Sequence, residues 1–127
     1  EGRVDRVSDG RFVYAGGMWD GTEGNMGASA VLRVGAVRVL ISSHPTYDWK
    51  DEQFRSVGLD PAACKFVVAK NPMNYNLAYG EMARAVYILD TPGPTPPTAR
   101  NIDYRNLHRP YFPLDEEIAG FAPTILT

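Results

Sequence analysis

The polar residues best suited to binding a ligand lie in one short segment, residues 70–76. A lysine beside several amide groups suits carbonyl or anionic ligands. A turn between a buried strand and a helix would place these side chains and free backbone N–H groups at the mouth of a cleft. An equally acceptable interpretation is that the asparagines only cap and close the turn. The candidate ligand-binding residues are Lys70, Asn71, Asn74, Tyr75 and Asn76.

A metal site is a second possibility, because His44, Asp48, Asp51 and Glu52 lie close together in the sequence. Zinc needs three or four convergent ligands, and Pro45 works against local convergence. Acidic residues in the first turn of a helix more simply serve the helix dipole. The chain has two histidines and one cysteine, so His and Cys alone cannot complete a four-ligand structural zinc site. The sequence therefore predicts no metal ligands in this chain.

A serine nucleophile is a third possibility, because Ser42 and Ser43 directly precede His44. Neighbouring side chains on a strand point to opposite faces, so adjacency does not create a catalytic triad. The chain also has no G-x-S-x-G turn. A small hydrolase built on Ser43 and His44 is the weakest of the hypotheses.

Two further segments are candidate contact surfaces. Residues 16–27 are rich in glycine but match neither a P-loop nor a dinucleotide-binding motif. They form either a wide loop between strands or a lid that carries Trp19, Asp20 and Glu23. The aromatic and proline residues at 109–113 either cover the edge of the core or dock another domain.

The elements that would position these residues begin with a β-hairpin. Apolar residues alternate with polar or small ones on both sides of Gly35, over residues 28–43. Arg33 and Arg38 would then lie on the face of the hairpin that is exposed to water. Strand-like residues also open the chain, before this hairpin.

Short helices and strands are predicted to follow the hairpin. The elements expected are a helix over 49–61 capped by Asp48, a strand over 65–70, a helix over 76–85, a strand over 86–90 and a last short strand over 101–107. Strands outweigh helices in this order. The fold class predicted is α+β, with a strand-rich layer of mainly antiparallel hairpins and one or two short helices packed on it.

The overall composition limits the class of protein. A chain of 127 residues that is 44% hydrophobic can build one domain, and a net charge of −2 gives no basic footprint for nucleic acid. No apolar run could span a bilayer, no signal peptide is visible, and one cysteine suits the cytoplasm. We expect a single domain over 1–115 and a weakly ordered tail over 116–127. Because Glu1 opens strand-like sequence without a methionine, we also expect a fragment of a longer protein.

Five motifs follow one another along the chain. They are G-x-x-A-V-L-R-V-G at 27–35, F-x-x-x-G-x-D-P at 54–61, V-V-A-K-N at 67–71, D-T-P-G at 90–93 and R-P-Y-F-P-L-D at 109–115. In this order they resemble the C-terminal region of the MlrC-type, microcystin-degrading zinc metallopeptidases. Each motif alone has low specificity, whereas five in order are fairly specific.

The resemblance implies an accessory role. Enzymes of that family hydrolyse peptide bonds with metal-activated water, and their zinc ligands lie in an N-terminal region outside this chain. The chain would pack on that catalytic region, and the turn at 70–76 would line the substrate cleft. By itself it would need no cofactor and would not be catalytic. The implied partners are the N-terminal catalytic domain, a peptide substrate and, as an open alternative, a second copy of the chain.

The turn departs from the pattern of the family. Where relatives carry His-Phe-Arg, this chain has Asn74, Tyr75 and Asn76, and Pro72 is a further change. Asparagine cannot act as a general acid or carry charge at neutral pH. If this turn touches the substrate, we therefore expect the substrate or the rate to differ from that of the microcystin-degrading relatives.

A different class of function also remains open. The chain could be an independent binding or oligomerisation module, with the glycine-rich residues 16–27 and the aromatic and proline residues at 109–113 as its contact surface. The region encoded upstream would distinguish this hypothesis from the accessory domain.

Overall fold

A computed structural model describes residues 1–71, 73–93 and 96–115. The chain divides into two compact units, one formed by Glu1–Val86 and the other beginning at Tyr87. The single-domain prediction for 1–115 stays a prediction, and the tail predicted over 116–127 lies outside the described residues. The strands are β1 Arg3–Ser8, β2 Arg11–Val13, β3 Glu23–Asn25, β4 Ser29–Val34 and β5 Val37–Ser42, and the helices are α1 Glu52–Ser56 and α2 Tyr75–Tyr79.

The described elements of the first unit are two antiparallel sheets, two short α-helices and two 3₁₀ turns at Gly17–Trp19 and Pro61–Ala63, which confirms the predicted α+β class. One sheet has the order β1-β4-β5, and the other pairs β2 with β3. The predicted hairpin is β4 and β5, in which Val34 pairs with Val37 across a two-residue turn. Gly35 in this turn has a φ of 58°, a conformation that glycine adopts without a steric penalty.

The core lies between the sheets and α1. Phe12, Tyr14, Met26, Val31 and Val57 form its buried cluster. Gly24 lies opposite Phe12 in the β2–β3 ladder, where a Cβ atom would collide with the aromatic ring. A glycine inside the segment 16–27 therefore makes room for a core side chain, and that segment contributes a strand as well as loop residues.

The three-stranded sheet exposes its apolar face to solvent, contrary to the prediction from the sequence. Arg33 and Arg38 lie opposite each other in the β4–β5 register, on the same face as the buried Val31. The prediction that they occupy the wetter face is therefore wrong. The opposite face, which we call the outer sheet face, is apolar. It consists of Val4 and Val7 from β1, Ala30, Leu32 and Val34 from β4, and Val37, Val39 and Ile41 from β5. The core covers the arginine-bearing face at only one end, so Arg33 remains exposed beyond it and Arg38 forms an ion pair there with Asp5, at 3.1 Å from Nε to Oδ2.

The helices are shorter than the sequence predicts. The first begins at Glu52 rather than near Trp49, because the Asp48 side chain bonds to Tyr79 and does not cap the helix. It ends before Gly58, whose φ of 73° suits the end of a helix. The second helix has five residues and stops at Gly80, far short of the predicted residue 85.

Three predicted strands are absent from the described residues. Residues 65–70 and 86–90 run without strand pairing, and residues 101–107 contain the end of a 3₁₀ turn at Ala99–Asn101. Apolar sequence predicted burial, but Phe66 is 74% exposed and Ile88 is 64% exposed. A strand needs a neighbouring strand to bond with, and the described residues of neither unit supply one for these segments.

The described residues of the second unit are mostly irregular. Arg109 donates a hydrogen bond from Nε to Oδ2 of Asp115 at 2.7 Å, and the same carboxylate oxygen accepts from the backbone N–H of Tyr111 at 2.6 Å. Arg109 lowers the pKa of the Asp115 carboxyl below its ordinary value. These bonds close the aromatic and proline segment into a loop that leaves Phe112 exposed. Among the described residues, none of the helices has both the length and the apolar composition of a membrane-spanning segment.

Candidate functional site

The turn at 70–76 is held in place by the side chain of Asn71, which is 4% exposed. Its amide Nδ2 donates to the backbone carbonyl of Asp48 at 2.8 Å. Its Oδ1 accepts from the backbone N–H of Asn74 at 2.9 Å and from the hydroxyl of Tyr47 at 3.4 Å. One amide therefore ties the turn to itself and to the segment that precedes α1.

A second tie joins α2 to the same segment. The hydroxyl of Tyr79 donates to Oδ2 of Asp48 at 3.0 Å. Burial raises the pKa of the Asp48 carboxyl, while the hydrogen bonds it accepts, chiefly from Tyr79, act in the opposite direction. Burial and the nearby Asp48 charge raise the pKa of Tyr79 above its ordinary value, so this hydroxyl stays protonated at neutral pH.

The other candidate residues lie around these hydrogen bonds of Asn71 and Tyr79. Lys70 and Asn76 are exposed, and Asn74 and Tyr75 are half-buried. Asn74 stands at the N-cap of α2, but its side chain makes no capping hydrogen bond. The five candidates thus lie together at one turn, with Asn71 turned inward and charged or amide groups left outside. That they bind substrate stays a prediction.

Aromatic rings extend from this network toward the glycine-rich segment. Tyr14 donates to the backbone carbonyl of Tyr47 at 2.6 Å, and burial, followed by the charges of Glu52 and Asp48, raises the pKa of Tyr14. The ring of Tyr47 lies 4.8 Å from that of Trp49, which stacks on Trp19 at 6.0 Å between centroids. Trp19 is 40% exposed, so one end of this aromatic row reaches the surface.

Sequence reasoning missed this network. The sequence suggested Asp48 as a helix cap and gave no sign that it would bond to a tyrosine 31 residues later. The close spacing of Tyr47 and Trp49 was visible, but the stacking partner Trp19 lies in a loop whose path the sequence does not specify.

The other chemical hypotheses find no support in the geometry. The described residues contain no group of three or more His, Cys, Asp or Glu side chains able to hold a metal ion. The Ser43 hydroxyl donates to the backbone carbonyl of Ala28 at 2.6 Å, and the His44 ring lies against Gly27. Neither arrangement activates a nucleophile. What the site offers chemically is hydrogen bonding and one positive charge at a fixed turn.

Comparison with solved structures finds a protein of Mesorhizobium sp. BNC1 that is described as a "putative metallopeptidase". The two structures agree with a TM-score of 0.70 at 30% sequence identity. The match covers 97% of this chain and 24% of that one, so this chain spans about a quarter of its length. Comparison with curated proteins finds no significant match.

The sequence comparison agrees with the structural one. Residues 1–106 match the family model described as "MlrC C-terminus", which confirms the resemblance based on the five motifs. The match covers the whole first unit and most of the described second unit. The chain therefore belongs to the MlrC C-terminus family.

Proposed function

We propose that this chain is the accessory C-terminal domain of a zinc-dependent peptidase, whose catalytic metal is held by the region that precedes it. The family of the chain and the description of the Mesorhizobium protein support this role. In the longer protein, the preceding region would hydrolyse peptide bonds with metal-activated water. We also propose a cytoplasmic location, since a chain with a single cysteine has no need of an oxidising compartment.

The part of the chain that the structure describes does not fit a zinc ion. The described residues bring no set of three ligands together, and the whole chain has only two histidines and one cysteine. We therefore assign this chain no step in the metal chemistry. Its contribution would be to position the substrate and to wall the cleft.

The observation that carries the substrate role is the way the turn at 70–76 is fixed. The side-chain amide of Asn71 forms hydrogen bonds within the chain, while Lys70 and Asn76 remain exposed. A polar surface whose backbone is already held in place loses little entropy when it binds. Peptide carbonyl groups are acceptors that a lysine and an asparagine amide can bind. We propose that Lys70, Asn74, Tyr75 and Asn76 contact the peptide and that Asn71 positions them.

The test uses the full-length protein that carries this chain, a library of synthetic tetrapeptides and a measurement of bound zinc. We expect zinc and hydrolysis in the full-length protein. Lys70→Ala and Asn76→Ala should each raise KM about tenfold with zinc content unchanged, which corresponds to the loss of about 1.4 kcal/mol of binding energy. Lys65→Ala, which removes another exposed lysine, is the matched control.

Two results would contradict parts of the proposal. A KM for the turn variants equal to that of Lys65→Ala would show that the turn does not touch the peptide. A full-length protein without zinc or hydrolysis would remove the peptidase role altogether. Hydrolysis by the 127-residue chain alone, after removal of metal, would also contradict an accessory role.

An independent binding or oligomerisation module is the second candidate function. The stacked pair of Trp19 and Trp49, partly exposed beside the glycine-rich segment, favours it, because exposed aromatic rings are enriched in interfaces. The reading frame distinguishes the two candidates. An upstream region carrying His and Asp ligands supports the accessory domain, and an unrelated upstream domain supports the module.

A further inference from the structure

The outer sheet face breaks the usual pattern of an antiparallel sheet. Such a sheet normally buries one apolar face and turns polar side chains to water on the other. Here the eight positions of the outer sheet face carry only valine, leucine, isoleucine and alanine, whereas the opposite face of the same strands holds arginine and serine as well. The sequence thus places apolar side chains on both sides of this sheet.

The structure leaves this face open. Val7 is 75% exposed, Val37 59%, Val4 55% and Ile41 50%. These residues come from the two edge strands, and the side chains of the central strand β4 lie between them. Scattered exposed apolar residues are common in proteins, but a continuous patch without one polar member marks a surface that another body covers.

We propose that the outer sheet face is the surface on which the region preceding this chain in the longer polypeptide packs. This inference rests on the proposed function, which supplies that region as the partner. The similar solved chain is long enough to provide it, because about three-quarters of that chain lies outside the match. The partner surface is an apolar helix or sheet layer, since the outer sheet face offers no side-chain charge or hydrogen-bonding group.

The composition of the face favours a permanent contact within one polypeptide. Interfaces that form and separate are about as polar as the rest of a protein surface, while permanent ones resemble a domain core cut in half. The outer sheet face is of the second kind. A second copy of this chain is the competing occupant, and the test below separates the two.

The experiment is hydroxyl-radical footprinting, read by mass spectrometry, of the 127-residue chain and of the full-length protein. Val37 and Ile41 report on the outer sheet face. Val13, which is 54% exposed in β2 of the other sheet, is the matched control. We expect modification of Val37 and Ile41 to fall about fivefold in the full-length protein. The reason is that the exposed fraction of each side chain would drop from about a half to about a tenth. Modification of Val13 should change less than twofold.

Different outcomes overturn different claims. Equal modification of Val37 and Ile41 in both proteins overturns the docking proposal. Protection that disappears when the full-length protein is diluted to a monomer assigns the face to a second copy and also overturns it. Missing zinc or hydrolysis in the full-length protein overturns the proposed function only, because the footprint needs neither. Protection that persists in the monomer supports the docking even then.

A variant pair gives a second measurement. Val37→Lys should shift the melting temperature of the 127-residue chain by less than about 3 °C, because the site is exposed there. In the full-length protein the same lysine would be buried without a partner, and limited proteolysis should release the C-terminal domain at least tenfold faster than in the wild type. Val13→Lys should leave the release rate unchanged. Equal release rates for the two variants would contradict the proposal.

Discussion

The hydroxyl of Tyr79 donates a hydrogen bond to the carboxylate of Asp48 at 3.0 Å, and Asn71 donates to the backbone carbonyl of the same aspartate at 2.8 Å. The side chain of Asp48 therefore bonds to α2, and its backbone carbonyl bonds to the turn at 70–76. This connection fixes the candidate substrate-binding turn to the segment before α1. It also makes the stability of the chain depend on groups that carry no catalytic chemistry.

Removing the Tyr79 hydroxyl should destabilise the chain. Tyr79→Phe leaves the half-buried Asp48 carboxylate with one donor fewer, at a cost of about 1–3 kcal/mol in the free energy of unfolding. Urea denaturation measures this difference. Tyr75→Phe, in the same helix and without a hydroxyl partner among the described residues, should change the free energy by less than about 0.5 kcal/mol. Equal effects of the two variants would show that the Asp48 bond contributes nothing.

The stability should also fall with rising pH because of Asp48. Burial raises the folded-state pKa of this carboxyl above the ordinary value of 3.8. Between these two pKa values the folded chain holds a proton that the unfolded chain has released, so stability decreases as pH rises through the folded pKa.

The measurement is the free energy of unfolding of the wild type and of Asp48→Asn at a series of pH values upward from 3.5. The wild type should lose stability relative to the variant across this window, because asparagine does not ionise. Asp103→Asn, at an exposed position in the second unit, controls for the loss of a charge. A constant difference between wild type and Asp48→Asn would contradict the prediction.

Asn71 and Asn76 should behave very differently although they lie in the same turn segment. Asn71→Ala removes a buried amide and leaves the backbone carbonyl of Asp48 and the N–H of Asn74 without their partner, at a cost of about 1–3 kcal/mol. Asn76→Ala removes an exposed side chain and should cost less than about 0.5 kcal/mol. Thermal denaturation followed by circular dichroism compares the two. If the two variants lose the same stability, Asn71 does not hold the turn in place.

The apolar residues at 66–69 should exchange their amide hydrogens rapidly in the 127-residue chain. None of the described residues forms a backbone hydrogen bond with this segment, whereas Val31 lies in the central strand of a sheet. Amide exchange read by NMR should be more than about a hundredfold slower at Val31 than at Phe66 and Val68. Strong protection at 66–69 would mean that the segment is paired in the isolated chain.

The hairpin could be read from the sequence because its determinants are local. Apolar alternation on both sides of Gly35 specifies two strands and the turn that sets their register, and the register observed is the one this pattern requires. The end of α1 at Gly58 was predictable for the same reason. The family resemblance was likewise carried by short motifs in the linear order of the chain.

The alternation could not tell which face of the hairpin meets the core. Valines on one side and arginines on the other suggested that the arginines point to water on an outward face, yet Arg33 shares a face with the buried Val31. The assignment depends on where α1 and β2 pack, and these elements are distant in sequence. Likewise, residues 65–70 have the composition of a buried strand, but a strand forms only where another strand offers its backbone.

The sequence by itself determined the family, the strand-rich class, the hairpin and the lack of a four-ligand zinc site of His and Cys, because each depends on residue types or on spacing within a short stretch. Only the tertiary structure decided that Asp48 bonds to Tyr79, that Asn71 turns inward, and that the sheet leaves an apolar face open. Those relationships join residues that are tens of positions apart, and burial at one position depends on which distant side chains lie over it.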